Sequence, residues 1–148
     1  MKVSYNKRII IVISSPSGAG KTSVCQKLIE RDKSIALSIS DTTRSPRDNE
    51  IDGVDYNFIN EKEFMNRIKN NSYIEHANVF GNFYGSQYKN IINHFENGSD
   101  ILFDIDWQGA KQLKSSSFKN IVSIFIIPPS KDAIYKRLKS RANTPVSY

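Results

Sequence analysis

The chain of 148 residues is 39% hydrophobic and carries a formal net charge of +6, which suits one globular domain with room for an inserted lobe and excludes a disordered polymer. A chain this long buries roughly two-thirds of its unfolded surface, so its core requires neither disulfide nor metal. Its one cysteine, Cys25, excludes a disulfide framework and a thiolate metal cluster, and its positive charge recurs as spaced Arg and Lys beside Ser, Thr and Tyr, a pattern that suits discrete phosphate pockets better than a duplex-binding face.

Residues 1–6 are too short and too polar for a signal sequence, and the apolar runs 9–13 and 121–127 are far too short to span a bilayer. KRIIIVISS predicts a strand buried on both faces, because β-branched residues run without alternation. Val24, Cys25, Leu28 and Ile29 then fall at helical spacing over residues 22–31. SIALSIS alternates, with Ile35, Leu37 and Ile39 on one face and serines on the other. TTRSPRDNEIDG is a polar loop marked by Pro and Gly, and VDYNFIN a short half-buried strand.

Asn60, with Glu63 three residues on, is the expected N-cap of a helix carrying Phe64, Met65 and Ile68. YIEHANVFGNFYGS reads as strand and loop. Tyr88, Ile91, Ile92 and Phe95 mark a further helix that stops near Gly98. DILFDID is the next strand, WQGAKQLK a short helix, and NIVSIFIIPPS another buried strand ending at two prolines. Ser130 caps a helix containing Ile134 and Leu138. Strands alternating with helices predict a parallel sheet in an α/β layer fold. The polar middle, residues 41–86, fits that alternation poorly and is expected to form an inserted lobe.

Between the first strand and helix stand Ser15, Pro16, Ser17, Gly18, Ala19, Gly20, Lys21, Thr22 and Ser23. The phosphate-loop pattern G-x-x-x-x-G-K-[ST] fits here at every position but its first glycine, which is Ser15. Small residues let backbone N–H groups converge on a phosphate, and the helix behind them adds its positive end. In this pattern Lys21 reaches the β- and γ-phosphates of a nucleoside triphosphate, and the Thr22 hydroxyl faces Mg²⁺. SDTTRSPR brings Ser40, Arg44 and Arg47 close together. Two guanidiniums in one short loop repel unless something negative lies between them, although an isolated pair fits a solvated basic loop better. Tyr56 and Tyr84 could add phenolic donors.

SPSGAGKT, SDTTRSPR, DGVDYNF, YIEHANVFGNFYGS and DIDWQGA, taken together and in this order, resemble the guanylate kinase family over residues 7–141. The resemblance implies a phosphate-loop kinase fold in three layers with a parallel central sheet, and transfer of the γ-phosphoryl of ATP to GMP. It implies that Ser40, Arg44, Arg47, Tyr56 and Tyr84 hold the GMP phosphate, and that Glu75, Ser86 and Asp106 read the guanine. The chemistry is compatible. Guanine presents N1–H and the N2 amine as donors to a carboxylate, whereas adenine has no donor at N1. Asp104 and Asp106 stand two apart at the end of one strand, hence on one face. Asp104 is expected on the Mg²⁺ side, through water, and Asp106 at the guanine; solvated edge acids are the plainer alternative. Trp107 is expected to pack rather than stack on a base, and Cys25 to lie in the core.

Arg137 and Arg141 lie four apart on a helix, where like charges repel unless a phosphate lies between them. They match the start of the mobile lid that closes over ATP in this family. After Arg141 the resemblance stops. The expected division is therefore a core of residues 1–40 and 87–136, a GMP-binding lobe at 41–86 and a partial lid at 137–148, with the family's last strand and most of its lid lacking a counterpart. A sheet shortened in this way leaves an edge that favours self-association.

The implied setting is cytoplasmic, the implied partners are ATP and GMP without nucleic acid or membrane, and the implied state is monomer or homodimer. Two other readings stay open at this point. One is a non-catalytic binding module or fragment of the same family; the other is a related kinase acting on a sugar phosphate.

Overall fold

The computed structural model describes residues 7–16 and 18–142, with side chains described through residue 140. Residues 1–6, Ser17, the Arg141 side chain and residues 143–148 of the expected lid lie outside the described residues. The elements in chain order are β1 (Ile10–Ser14), α1 (Lys21–Arg31), β2 (Ile35–Leu37), β3 (Asp41–Thr42), β4 (Asn57–Phe58), α2 (Glu61–Lys69), β5 (Tyr73–Val79), β6 (Asn82–Gln87), α3 (Tyr88–Glu96), β7 (Asp100–Asp104), α4 (Trp107–Lys114), β8 (Ile121–Phe125) and α5 (Lys131–Ala142).

The first sheet has the order β2-β7-β1-β8, and every pairing in it is parallel. Alternate residues of its inner strands face opposite layers. Ile10, Val12, Ile101 and Phe103 pack with Ile91 and Phe95 of α3 and Leu113 of α4. Ile13 and Leu102 pack on the other side with Cys25, Leu28 and Ile29 of α1. The sheet is thus the middle of three layers, as an apolar run without alternation requires. The register sets Ile13 beside Asp104. The carboxyl ends of β1 and β7 therefore lie side by side, where open α/β sheets place ligands.

Residues 41–87 carry a second sheet, of order β4-β3-β6-β5. Its interior is aromatic: the Phe64 ring of α2 stacks on Tyr73 and Phe83 at centroid distances of 4.7 and 5.4 Å. Gly85 permits that approach, because a Cβ there would stand 3.0 Å from the Tyr73 ring. The Asn60 side chain caps α2 by accepting from the Glu63 N–H at 2.8 Å, matching the expected cap.

Several local expectations are corrected. YIEHANVFGNFYGS forms an antiparallel hairpin, β5 with β6, rather than strand and loop. Its two-residue turn has φ of 51° at Phe80 and 83° at Gly81, the left-handed pair that a tight hairpin needs. Phenylalanine at the first of these positions is what hides the turn in the sequence. The run after Ser34 does not divide into a buried apolar face and an open serine face. Ser38 and Ser40 are buried while Leu37 and Ile39 are only half-buried, because β2 is an edge strand whose serine side leads into the second sheet. Val24 is exposed and Cys25 alone in α1 is fully buried. β8, expected to be buried, is an edge strand; Val122, Ile124 and Phe125 are all exposed, Phe125 by 58%. Apolar periodicity reports β-propensity, but not whether a neighbour covers the strand.

Candidate functional site

β1 delivers the chain into a loop whose Gly18 and Gly20 have φ of 81° and 86°, a region open to glycine and strained for other residues. Gly20 is the N-cap of α1, where no side chain caps the helix and no acidic residue stands in the first turn. The first N–H groups of α1 thereby have no side-chain cap or first-turn acid, the arrangement in which a helix start can receive an anion. Ser15, at the position of the missing first glycine, is not among the described residues with positive φ, so a Cβ costs nothing there. Its Oγ donates to the Pro16 carbonyl at 3.0 Å.

Lys21 Nζ lies 3.0 Å from Asp104 Oδ1 and donates to the Ile105 carbonyl at 3.1 Å. Both contacts follow from the adjacent ends of β1 and β7. Thr22 and Ser23 are exposed at the helix start. From the far end of the chain, Arg137 Nη1 donates to the Gly18 carbonyl at 3.0 Å. Leu138 covers the same glycine, its Cγ 3.4 Å from where a Cβ would be. One of the two expected lid arginines therefore touches the loop; the side chain of the other, Arg141, lies outside the described residues. Cys25 packs beneath this loop, and burial, followed by the charge of Asp104, pushes its thiol up to about 12. It is a core group, not a nucleophile.

The second cluster gathers on the second sheet. Arg44 Nε donates to the Tyr84 hydroxyl at 3.2 Å, and its guanidinium lies 5.4 Å from the Tyr56 ring centroid. Tyr56 and Tyr84 meet edge to face at 5.9 Å. Ser40 and Ser86, both buried, share a hydrogen bond of 3.1 Å between their hydroxyls. Arg47 is exposed, and its backbone N–H donates to Glu50. A carboxylate of the chain itself stands at this cluster, on the Arg44 guanidinium and the Arg47 backbone. Glu50 accepts from Arg44 Nη1 and Nη2, each at 2.8 Å, and from the Arg47 N–H at 2.8 Å. Sequence reasoning missed Glu50, although its three-residue spacing from Arg47, itself three beyond Arg44, was the available signal.

The two clusters share an electrostatic neighbour. The Tyr56 phenol is raised above its ordinary value, first by burial and then by the charge of Asp104, the carboxylate that holds Lys21.

A third group lines the wall between the sheets. Glu75 on β5 is only 3% exposed, and its neighbour in the ladder is Ser86 of β6. Burial, the largest influence, together with the charge of Asp106 pushes the Glu75 carboxyl up to about 7, against hydrogen bonding from Ser86. Asp106 caps α4, its Oδ1 accepting from the Gly109 N–H at 3.0 Å and its Oδ2 from Gln108 Nε2 at 3.2 Å. Trp107, expected to pack, is 66% exposed instead, because the first residue of α4 points away from both cores.

Asp41 was also missed. It is fully buried and accepts from Arg67 at 2.6 Å, Tyr73 at 2.8 Å, Gln87 at 2.9 Å and Asn57 at 2.9 Å. These donors come from α2, β5, β6 and β4, so one carboxylate ties the second sheet together next to Ser40. Among the described residues no group of three or more His, Cys, Asp or Glu side chains is placed to hold a metal ion, and no helix is long and apolar enough to cross a membrane.

A family model described as guanylate kinase matches residues 7–146. The chain is 50% identical over 140 residues to a guanylate kinase of Rickettsia bellii, covering 95% of this chain and 73% of that protein. It is 44% identical over 134 residues to one of Paramagnetospirillum magneticum, covering 90% of this chain and 63% of that protein. A crystal structure of guanylate kinase from Anaplasma phagocytophilum superposes with a TM-score of 0.76 at 41% identity, covering 89% of this chain and 66% of that one. The chain thus spans about two-thirds of the length of these relatives.

Proposed function

The chain belongs to the guanylate kinase family, and from that premise we propose that it transfers the γ-phosphoryl group of ATP to GMP, giving ADP and GDP. A phosphate oxygen of GMP attacks the γ-phosphorus; the bond from phosphorus to the β–γ bridging oxygen breaks, and its electron pair leaves with ADP. The observation that carries this reading is the position of Asp104. It pairs with Lys21 in the glycine-rich loop at 3.0 Å, and its charge reaches Tyr56 in the arginine–tyrosine cluster. The glycine-rich loop and the arginine–tyrosine cluster therefore approach the same carboxylate, which supports reading them as neighbouring donor and acceptor sites.

In this reading residues 15–23 cradle the ATP phosphates. Lys21, Arg137 and Arg141 neutralise charge on the γ-phosphoryl group. Ser40, Arg44, Arg47, Tyr56 and Tyr84 hold the acceptor phosphate, and Glu75, Ser86 and Asp106 accept or donate at the guanine edge. Positioning and charge account for most of the rate in such transfers. Residues 41–86 form the lobe that GMP closes, residues 137–148 belong to the lid over ATP, and residues 1–40 and 87–136 form the core. Mg²⁺ prefers oxygen ligands and keeps several waters; the Thr22 hydroxyl and the Asp104 carboxylate fit an ion that arrives with the triphosphate, where it would offset phosphate charge. A single, buried cysteine, Cys25, is compatible with the reducing cytoplasmic setting that this reading assigns.

A coupled assay of GDP formation from ATP and GMP tests the proposal, with AMP and ribose 5-phosphate as competing acceptors. Turnover restricted to GMP supports it. GMP binding without turnover would favour a binding module, and turnover of a sugar phosphate would reject the guanine assignment.

A further inference from the structure

Five glycines of this chain have positive φ, at positions 18, 20, 53, 81 and 98. Gly109 does not. It sits in the first turn of α4 with helical geometry, fully buried. Glycine there is unfavourable by roughly 1 kcal/mol relative to alanine, so backbone conformation gives no reason for it. The reason is space. A Cβ on Gly109 would stand 2.3 Å from Glu75 Oε2 and 3.0 Å from its Cδ, with Ile105 Cδ1 next at 3.2 Å. The carboxylate of Glu75 occupies the volume that a side chain at 109 would fill.

The same residue has a second contact. Its N–H is the donor that Asp106 Oδ1 accepts at 3.0 Å. Gly109 thus touches two carboxylates with two different parts of itself, and these are the two acids whose charges oppose one another. We propose that Gly109 is a positioning residue for base recognition: its N–H fixes the Asp106 carboxylate, and its bare Cα is the notch that lets Glu75 stand beside it. This rests on the reading that Glu75 and Asp106 face guanine.

Guanine offers N1–H and the N2 amine as neighbouring donors, and an ionised carboxylate can only accept. Two acids can share that edge only if their separation is set. β5 and α4 are different elements, so side-chain packing alone leaves the separation loose; contact through a single Cα does not. Gly85 provides the contrast. A Cβ there would meet the rings of Tyr73 and Phe64, so its role is packing in the aromatic interior of the lobe. At Gly109 the nearest atoms are the end of a flexible side chain. An added methyl is most cheaply accommodated by moving the Glu75 carboxylate, which spares the fold and displaces the acceptor.

The test uses calorimetric titration of the full chain with GMP and, separately, with ATP and Mg²⁺. Wild-type protein that fails to bind GMP would overturn the guanine reading itself. Given wild-type binding, Gly109→Ala is expected to weaken GMP by about tenfold or more, the scale of a misplaced hydrogen-bonding group, while ATP affinity and thermal midpoint are preserved. Glu75→Asp, which withdraws the carboxylate by one methylene, is expected to weaken GMP in the wild-type background yet restore part of the affinity when added to Gly109→Ala. GMP affinity unchanged by Gly109→Ala, a loss shared equally by ATP, or a double variant no better than Gly109→Ala would each overturn the proposal.

Discussion

Arg44 is forked onto Glu50: Nη1 and Nη2 each donate to one carboxylate oxygen at 2.8 Å. Of the five guanidinium hydrogens, Tyr84 takes the one on Nε and the Ser45 carbonyl a second from Nη1. With the two given to Glu50, one Nη2 hydrogen remains. The guanidinium is thus fixed in place and presents a single N–H, while Glu50 also holds the Arg47 backbone. Charge-assisted pairs of this kind contribute more than neutral ones, and this one is largely shielded from solvent. Glu50→Gln keeps the shape and removes the charge. It is expected to weaken GMP about tenfold, or about 1.4 kcal/mol, with ATP affinity unchanged. Tighter GMP binding in that variant would instead show Glu50 to be a competitor of the substrate phosphate.

Asp41 governs the lobe rather than the chemistry. Its carboxylate is fully buried and collects donors from four elements. It also helps to hold the Tyr73 phenol far above its ordinary value, after the larger effect of burial. Asp41→Ala strands those donors and leaves the Arg67 charge without its buried partner. Breaking such a pair costs roughly 3–5 kcal/mol. Thermal denaturation should therefore show a large fall in midpoint, with the aromatic near-ultraviolet signal of Phe64 and Tyr73 lost first.

The glycine-rich turn before α1 and the parallel pairing of β1 and β7 were legible because local rules and global fold agree there: glycines where φ is positive, β-branched residues in a sandwiched strand, Asn60 where a helix starts. Glu50 and Asp41 were not, because the sequence shows a carboxylate but not what it faces. Asp41 and Thr42 form a strand without a single apolar residue, a pattern that periodicity does not detect. The hairpin was obscured by Phe80, a bulky residue in a left-handed turn. Gly109 was visible only as part of a motif; its reason lies in Glu75, 34 positions earlier in the chain.

β8 offers a different kind of test. It pairs only with β1 among the described strands and exposes Val122, Ile124 and Phe125. An open, apolar edge is a template for pairing with another chain. The protein is expected to self-associate with rising concentration in sedimentation velocity. Phe125→Lys should suppress this while changing stability by no more than about 0.5 kcal/mol, as for other exposed positions. A protein that stays monomeric across the accessible range would show that the edge is protected in solution.

The Glu75 carboxyl gives stability and binding opposite pH dependences. Its ordinary value of 4.5 is pushed up to about 7 in the fold, chiefly by burial. Between those values the folded chain keeps a proton that the unfolded chain releases. This group's contribution to stability is therefore complete below about pH 4.5 and is lost as pH rises through about 7. Recognition of guanine N1–H needs the ionised form, so GMP affinity should fall about tenfold for each pH unit below the folded pKa. Glu75→Gln removes both effects. Its thermal midpoint should exceed that of the wild type by more at about pH 8 than at about pH 5, and its residual GMP affinity should keep only the shallower dependence set by the GMP phosphate itself, whose second proton titrates near about pH 6. A wild-type GMP affinity that does not vary between these pH values would show that Glu75 is not the acceptor, and parallel stability curves for the two proteins would show that its burial does not perturb its proton.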